Sequence, residues 1–217
     1  MRGLLATADS FERVIVALGR WGAWLSLPLI AVIMFDVVTR KIVWIQQMIQ
    51  NSWMHDYISS TKLQEWEWHL HTALFLLALG FAYSRNSHVR VDLVREKFSS
   101  YGQVWIELLG CVLFLIPYTL VVLWFAWDFV EQAYVSNEVS SAMTGLSHRW
   151  IIKSFLLVGL FLALLAGIAM LIRTIAYLVR PDLRDEIKLI MLTEGGAEMG
   201  LPKIEEEAEP TDVRAGV

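Results

Sequence analysis

At 217 residues, with 56% hydrophobic against 18% charged, the chain is too apolar for an ordinary soluble domain of its length. Its net charge of −4 comes largely from an acidic C-terminal stretch and gives no basic footprint for a nucleic acid. The single cysteine, Cys111, leaves neither an internal disulfide nor a cysteine-based metal site.

In chain order, Phe11, Val14, Ile15 and Leu18 recur at helical spacing in residues 1–19 and predict an amphipathic lead-in on the cytoplasmic surface. Asp9, Glu12 and Arg13 interrupt any signal-peptide core, so the first apolar run is expected to stay as a membrane helix. A bilayer core needs about 20 apolar residues of helix. Uncharged runs near that length lie between Arg20 and Asp36, Glu67 and Arg85, Glu107 and Asp128, and Lys153 and Arg173. They predict spans at about 21–42, 66–84, 104–128 and 151–178 within a membrane domain of residues 1–193. The first requires Asp36 near the far interface, and the second requires His69 and His71 at headgroup level. Tryptophans mark the span ends: Trp21, Trp24, Trp66, Trp68, Trp105, Trp124, Trp127 and Trp150.

The connector after the first span carries Ile45, Met48, Ile49 and Trp53 on one helical face and Gln46, Gln47, Gln50 and Asn51 on the other. This predicts an interfacial helix at about 43–58; a simple extension of the first helix fits the pattern equally. Residues 85–100 form a short basic connector, and residues 131–150 a polar one with Asn137, Ser140, Ser141 and Gly145 as turn chemistry. Pro117 predicts a bend in the third span, and Pro181 a stop after the fourth. Residues 182–192 have the pattern of one short surface helix, and residues 194–217 that of a disordered acidic tail.

Lys and Arg collect on the cytoplasmic side. With both termini inside, only Arg40, Lys41, Lys62, Arg149 and Lys153 lie outside. The expected fold is therefore an all-α integral membrane protein of four transmembrane helices, both termini cytoplasmic, with an interfacial helix between the first two.

Ionisable groups at a bilayer centre mark ion or proton paths. Here each lies beyond a span or within a turn or two of its end, Asp36 deepest. His69 and His71, two residues apart, point to different sides of a helix, which disfavours paired haem ligation. No internal repeat or clustered helix break signals a substrate site. Glu65 and Glu67 form an acidic, aromatic helix start and a candidate outer docking point. Gly159, Ala163 and Gly167, with Ala78 and Ala82, recur at four-residue spacing and are candidate helix-contact faces, within this chain or toward a partner. Arg85, His88, Arg90 and Asp92 make the cytoplasmic connector a positive anchor with an internal ion pair.

Several segments together are similar to the small membrane subunit of TRAP transporters, the tripartite ATP-independent periplasmic solute importers. They are Phe35-Asp36-Val37-Val38-Thr39-Arg40, Leu63-Gln64-Glu65-Trp66-Glu67-Trp68-His69-Leu70, and Ala78-Leu79-Gly80-Phe81-Ala82-Tyr83-Ser84-Arg85 leading into His88-Val89-Arg90-Val91-Asp92-Leu93. Arg149-Trp150-Ile151-Ile152-Lys153, followed by Gly159, adds a fourth. The resemblance implies a non-catalytic subunit of a bacterial or archaeal cytoplasmic membrane, without cofactor. It also implies two protein partners besides membrane lipids: a large permease subunit that couples organic-acid uptake to sodium, and a periplasmic solute-binding protein. Two competing readings are a haem- or quinone-associated anchor using His69 or His71, and a free-standing tetraspan envelope protein.

Overall fold

Helix is the regular structure of every element among the described residues, which in this computed structural model are 1–53, 58–85, 87, 97–142, 145–183 and 187. Helices α1 (Arg2–Ala23) and α2 (Ser26–Lys41) follow one another as a first rod with a break at Trp24 and Leu25. Pro28 explains the break. It lacks an N–H, and its ring crowds the carbonyl four residues back, that of Trp24. The backbone there tightens to three-residue bonds, from Leu25 N–H to the Gly22 carbonyl at 2.9 Å and from Leu27 N–H to the Trp24 carbonyl at 3.2 Å.

Ile42, at φ −103° and ψ 98°, ends α2 and starts α3 (Val43–Gln50). The connector helix is thus a separate element and not an extension of the first span. Residues 54–57 lie outside the described residues. Helix α4 (Ser60–Ser84) begins where the Ser59 hydroxyl accepts the Lys62 N–H at 3.3 Å.

The third rod joins α5 (Ser100–Gly110), a π turn (Cys111–Leu115) and α6 (Ile116–Val135). A π turn stands just before Pro117, where Ile116 N–H reaches back five residues to the Cys111 carbonyl. The Thr119 hydroxyl donates to the Leu115 carbonyl at 2.8 Å. Asn137, at φ 46°, ends the rod in the left-handed conformation, with Glu138 N–H bonded to the Ala133 carbonyl at 3.0 Å.

Helix α7 (Trp150–Val179) stops ahead of Pro181, whose preceding residue Arg180 is pushed out of helical geometry. Beyond the short turn Pro181–Leu183 only Ile187 is described, buried against Val104 and Ala176. The surface helix expected at 182–192 and the acidic tail fall outside the described residues.

Helix α7 is the hub, flanked by α1, α4 and the third rod. Small residues make this possible. A Cβ on Gly159 would stand 2.7 Å from the Leu76 carbonyl oxygen, and one on Gly80 2.8 Å from the Leu162 backbone, so α4 and α7 touch backbone to backbone and run parallel. Gly19 and Gly22 let the first rod close on Phe81 and Leu77 of α4 in the same way.

Residues 1–19 do not stand apart as a surface lead-in, because Ile15 is fully buried against Leu162 and Ala166 and α1 packs along α7. Among the described residues, three segments are long and apolar enough on their own to cross a membrane: Arg2–Lys41, Tyr101–Val135 and Trp150–Val179. Helix α4 has the length but carries Glu65, Glu67, His69 and His71 in its first half, which lowers its hydropathy.

Candidate functional site

Among the described residues, three charged clasps join the rods. The first locks α2 to α4. Asp36 is 1% exposed; its carboxylate pairs with Arg40 one turn on and accepts the Ser60 hydroxyl at 3.3 Å. With the Gln64 amide oxygen turned toward it, Arg40 donates to that oxygen at 2.8 and 2.9 Å. The deepest charge of the sequence is therefore paired and hydrogen-bonded, as a buried carboxylate must be.

The second clasp gathers α4, the polar connector before α7, and α7 itself around Glu65. Its carboxylate accepts from the Ser140 hydroxyl and the Leu146 backbone N–H, with the Arg149 guanidinium at 3.4 Å. Burial acts to raise the Glu65 carboxyl, but the bonds from Ser140 and Leu146 and the charge of Arg149 outweigh it and hold the group below the usual carboxylate range. Gly145 is required here, since a Cβ would stand 2.8 Å from Glu65 Oε1. Glu138 extends the cluster by pairing with Lys153 and facing Arg149 at 4.0 Å. Arg149 also lies 5.5 Å over the Trp68 ring, and Lys153 3.8 Å over Phe129, which ties the third rod to α7 at this end.

The third clasp joins the other end of α7 to α1: Arg173 reaches Asp9 at 2.8 Å and also pairs with Glu12. Between the clasps, the Cys111 thiol donates to the Gly167 carbonyl at 3.2 Å and the Tyr83 hydroxyl donates to Glu107 at 3.1 Å.

The residues singled out in the sequence fall into different places. Glu65 is corrected from docking point to internal clasp by its 7% exposure, while Glu67 is half-buried and outside that clasp. Gly159, Ala163 and Gly167 are buried inside this chain, against Leu76 on one side and Leu115 on the other, so they do not face a partner. Ala78 and Ala82 remain half-buried. His69 Nδ1 sits 2.5 Å from the Glu65 carbonyl oxygen and its ring lies tilted against Trp68, centres 3.9 Å apart, whereas His71 is exposed. Arg85 ends α4 with its guanidinium 5.9 Å from the Phe81 ring centre. His88, Arg90 and Asp92 lie outside the described residues.

Sequence reasoning missed Ser140, Glu138, Arg149 and Arg173 as clasp members. Arg173 closes the fourth apolar run and Arg149 lies one turn before Lys153, which opens it, and that position was the available signal; the partners of both are distant in the chain.

An arrangement that uses charge to fix rods together, and leaves broad apolar flanks uncovered, defines a helical membrane protein built for packing. The sequence matches the family described as tripartite ATP-independent periplasmic transporters, DctQ component, over residues 29–176. The chain belongs to that family, as a small, non-catalytic membrane component of a TRAP transporter. Membership implies partners within the transporter complex. No curated protein and no solved structure matches the chain.

Proposed function

We propose that this subunit braces the large permease subunit in the cytoplasmic membrane of a bacterium or archaeon. It also helps receive the solute-binding protein during sodium-coupled uptake of an organic acid or related solute. The sodium and solute sites belong to the permease. The observation that carries this reading is the family match over residues 29–176 joined to the exposed apolar flank of the third rod, where Trp124 is 74% and Phe125 66% exposed. Such a flank suits lipid and a membrane partner and is unfavourable in water.

In this reading α4 crosses as the second of four spans, with both termini cytoplasmic. Its 25 residues reach about 37 Å at 1.5 Å per residue, enough for the bilayer core. It runs parallel beside α7 from Glu65, next to Arg149, to Gly80, next to Leu162, and one crossing of the third rod between them satisfies that parallel arrangement. Its polar start is matched by partners, so its own modest hydropathy is no obstacle. The spans are those at about 21–42, 66–84, 104–128 and 151–178. The first is extended by α1, and the tail 194–217 lies in the cytoplasm.

Helix α3, with Val43, Trp44 and Met48 exposed, rests at the outer interface. Glu67, in the polar first half of α4, contributes to docking the binding protein. Ala78 and Ala82 contribute to the permease contact. Arg85, with His88, Arg90 and Asp92, anchors the cytoplasmic connector.

The test is to tag this chain and purify it from its native membrane. Co-purification of a multi-span permease, and loss of solute uptake on deletion, are expected. Uptake at the wild-type rate in a deletion strain overturns the reading.

A further inference from the structure

We infer that Arg20, on the outward flank of the first rod, pairs with a carboxylate on a membrane helix of the large permease subunit. This rests on the proposed function for the identity of the partner, and adds the residue that meets it.

Charge marks the two ends of the bundle: Asp36, Glu65, Arg149 and Lys153 at one, Arg173 with Asp9 and Glu12 at the other. Along α7, Leu162 stands about 14 Å from Lys153 and about 16 Å from Arg173. A Cβ on Gly80 would stand 2.8 Å from the Leu162 backbone, and one on Gly19 2.6 Å from the Phe81 Cβ, so Leu162, Gly80 and Gly19 share one level. Arg20 follows Gly19 directly. It bounds the first apolar run in the sequence, yet the fold carries it to mid-height of the bundle, the level of the bilayer centre.

Arg20 also faces away from the rest of the chain. Ile15, Gly19 and Gly22 form the buried face of α1; at 3.6 residues per turn Arg20, Trp21 and Trp24 fall on the other side. Arg20 is exposed, Trp21 is 75% and Trp24 66% exposed. Among the described residues Arg20 makes no hydrogen bond and no ion pair, and its neighbours one turn away, Val16, Ala17, Ala23 and Trp24, offer no acid. The nearest acid on the rod, Glu12, lies about 12 Å away along the axis and is held by Arg173.

An arginine at the bilayer centre is unfavourable unless it is paired, and those retained there serve a function. Asp36, Glu65 and Arg173 have their counter-charges within the chain; that of Arg20 must come from outside. A lipid phosphate lies half a bilayer core away, about 15 Å. An acidic side chain on a neighbouring helix reaches the level, and the guanidinium fork can grip it with two parallel hydrogen bonds. The two indoles favour protein in the same way: tryptophans that face lipid belong at headgroup depth, whereas at mid-height beside an arginine they have the composition of an interface hot spot.

The experiment is recovery of the large subunit with the tagged full chain from native membranes, wild type against Arg20→Leu and Arg20→Lys. Arg20→Leu should reduce recovery about thirtyfold, the scale of losing one partner of a desolvated charge pair. Arg20→Lys, which keeps the charge, should retain most of it. The unfolding midpoint of detergent-solubilised Arg20→Leu should be unchanged, because no contact within the chain is lost. A photo-crosslinking residue in place of Trp24 should join the chain to a helix of the large subunit that carries Asp or Glu. Full recovery of the large subunit by Arg20→Leu overturns the inference and leaves the proposed function intact. Equal losses from the leucine and lysine variants overturn it by removing the need for charge, and a lowered midpoint by giving Arg20 a role within the chain. A crosslink to lipid alone overturns it by assigning this flank to the bilayer. Absence of the large subunit from the wild-type preparation removes the proposed function and the inference together.

Discussion

Helix α7 and the third rod are both strongly apolar, yet a far larger share of α7 than of the third rod is buried inside the chain. Apolarity does not separate them; side-chain size does. Helix α7 presents Gly159, Ala163, Ala166, Gly167 and Ala169 to its neighbours and becomes the hub. The third rod presents Leu113, Phe114, Trp124, Phe125 and Trp127 outward and becomes an edge. In water the hydrophobic effect would drive both inside. In lipid it does not distinguish protein from solvent, and close backbone approach decides which rod is enclosed.

The sharpest break of that comparison is one substitution made on each rod. Gly159→Leu drives a side chain into the Leu76 backbone, which cannot rotate away, and should cost more than the roughly 1–3 kcal/mol of ordinary overpacking. Folded protein should not be recovered. Gly110→Leu enters open space and should leave the unfolding midpoint of the detergent-solubilised chain unchanged or slightly raised, since leucine is the better helix former. Equal damage from both substitutions would remove the distinction between hub and edge.

Much of the hub was legible before any coordinates, because the small residues on the fourth span stand at four-residue spacing. The direction they face was not. A glycine stripe carries no sign of whether it meets this chain or another, and contacts such as Gly159 with Leu76 depend on which rods lie side by side. The first rod shows a similar limit. Phe11, Ile15 and Leu18 mark an apolar face, but periodicity alone does not distinguish a lipid surface from α7. The Glu65 clasp was visible only as an acid near tryptophans. Its partners at Ser140, Leu146 and Arg149 lie 75 to 84 residues away and follow no local pattern. Pro28 was overlooked although its signal is local, since a proline four residues after Trp24 breaks the bond pattern wherever the rod packs.

Charge substitutions have the next largest effects, graded by burial. Glu65→Leu leaves the partly buried Arg149 facing an apolar side chain and should lower stability by about 3 kcal/mol, read from thermal unfolding, whereas Asp36→Leu leaves Arg40, 45% exposed, free to reach solvent and should cost about 1 kcal/mol. Glu65 adds a pH signature. Its carboxyl is lowered in the native chain, so the stabilisation is complete above the unfolded value of about 4.3 and fades as the pH falls through the native one. Glu65→Gln should flatten that acid limb of the stability profile. Arg173→Met, acting on the more exposed Asp9 and Glu12, should cost about 1 kcal/mol and lose part of that cost in high salt.

The smallest effect on stability should come from the edge. Trp124 and Phe125 make few contacts inside the chain, so Trp124→Ala with Phe125→Ala should move the stability of the isolated subunit by no more than about 0.5 kcal/mol. If the third-rod flank meets the permease, the same pair should sharply reduce its co-purification, because truncated aromatics lose the packing that holds helices together in lipid. A subunit that unfolds normally but no longer retains its partner separates an edge built for assembly from a hub built for folding. Normal recovery of the permease would instead assign this flank to lipid and move the contact to Ala78 and Ala82 on α4.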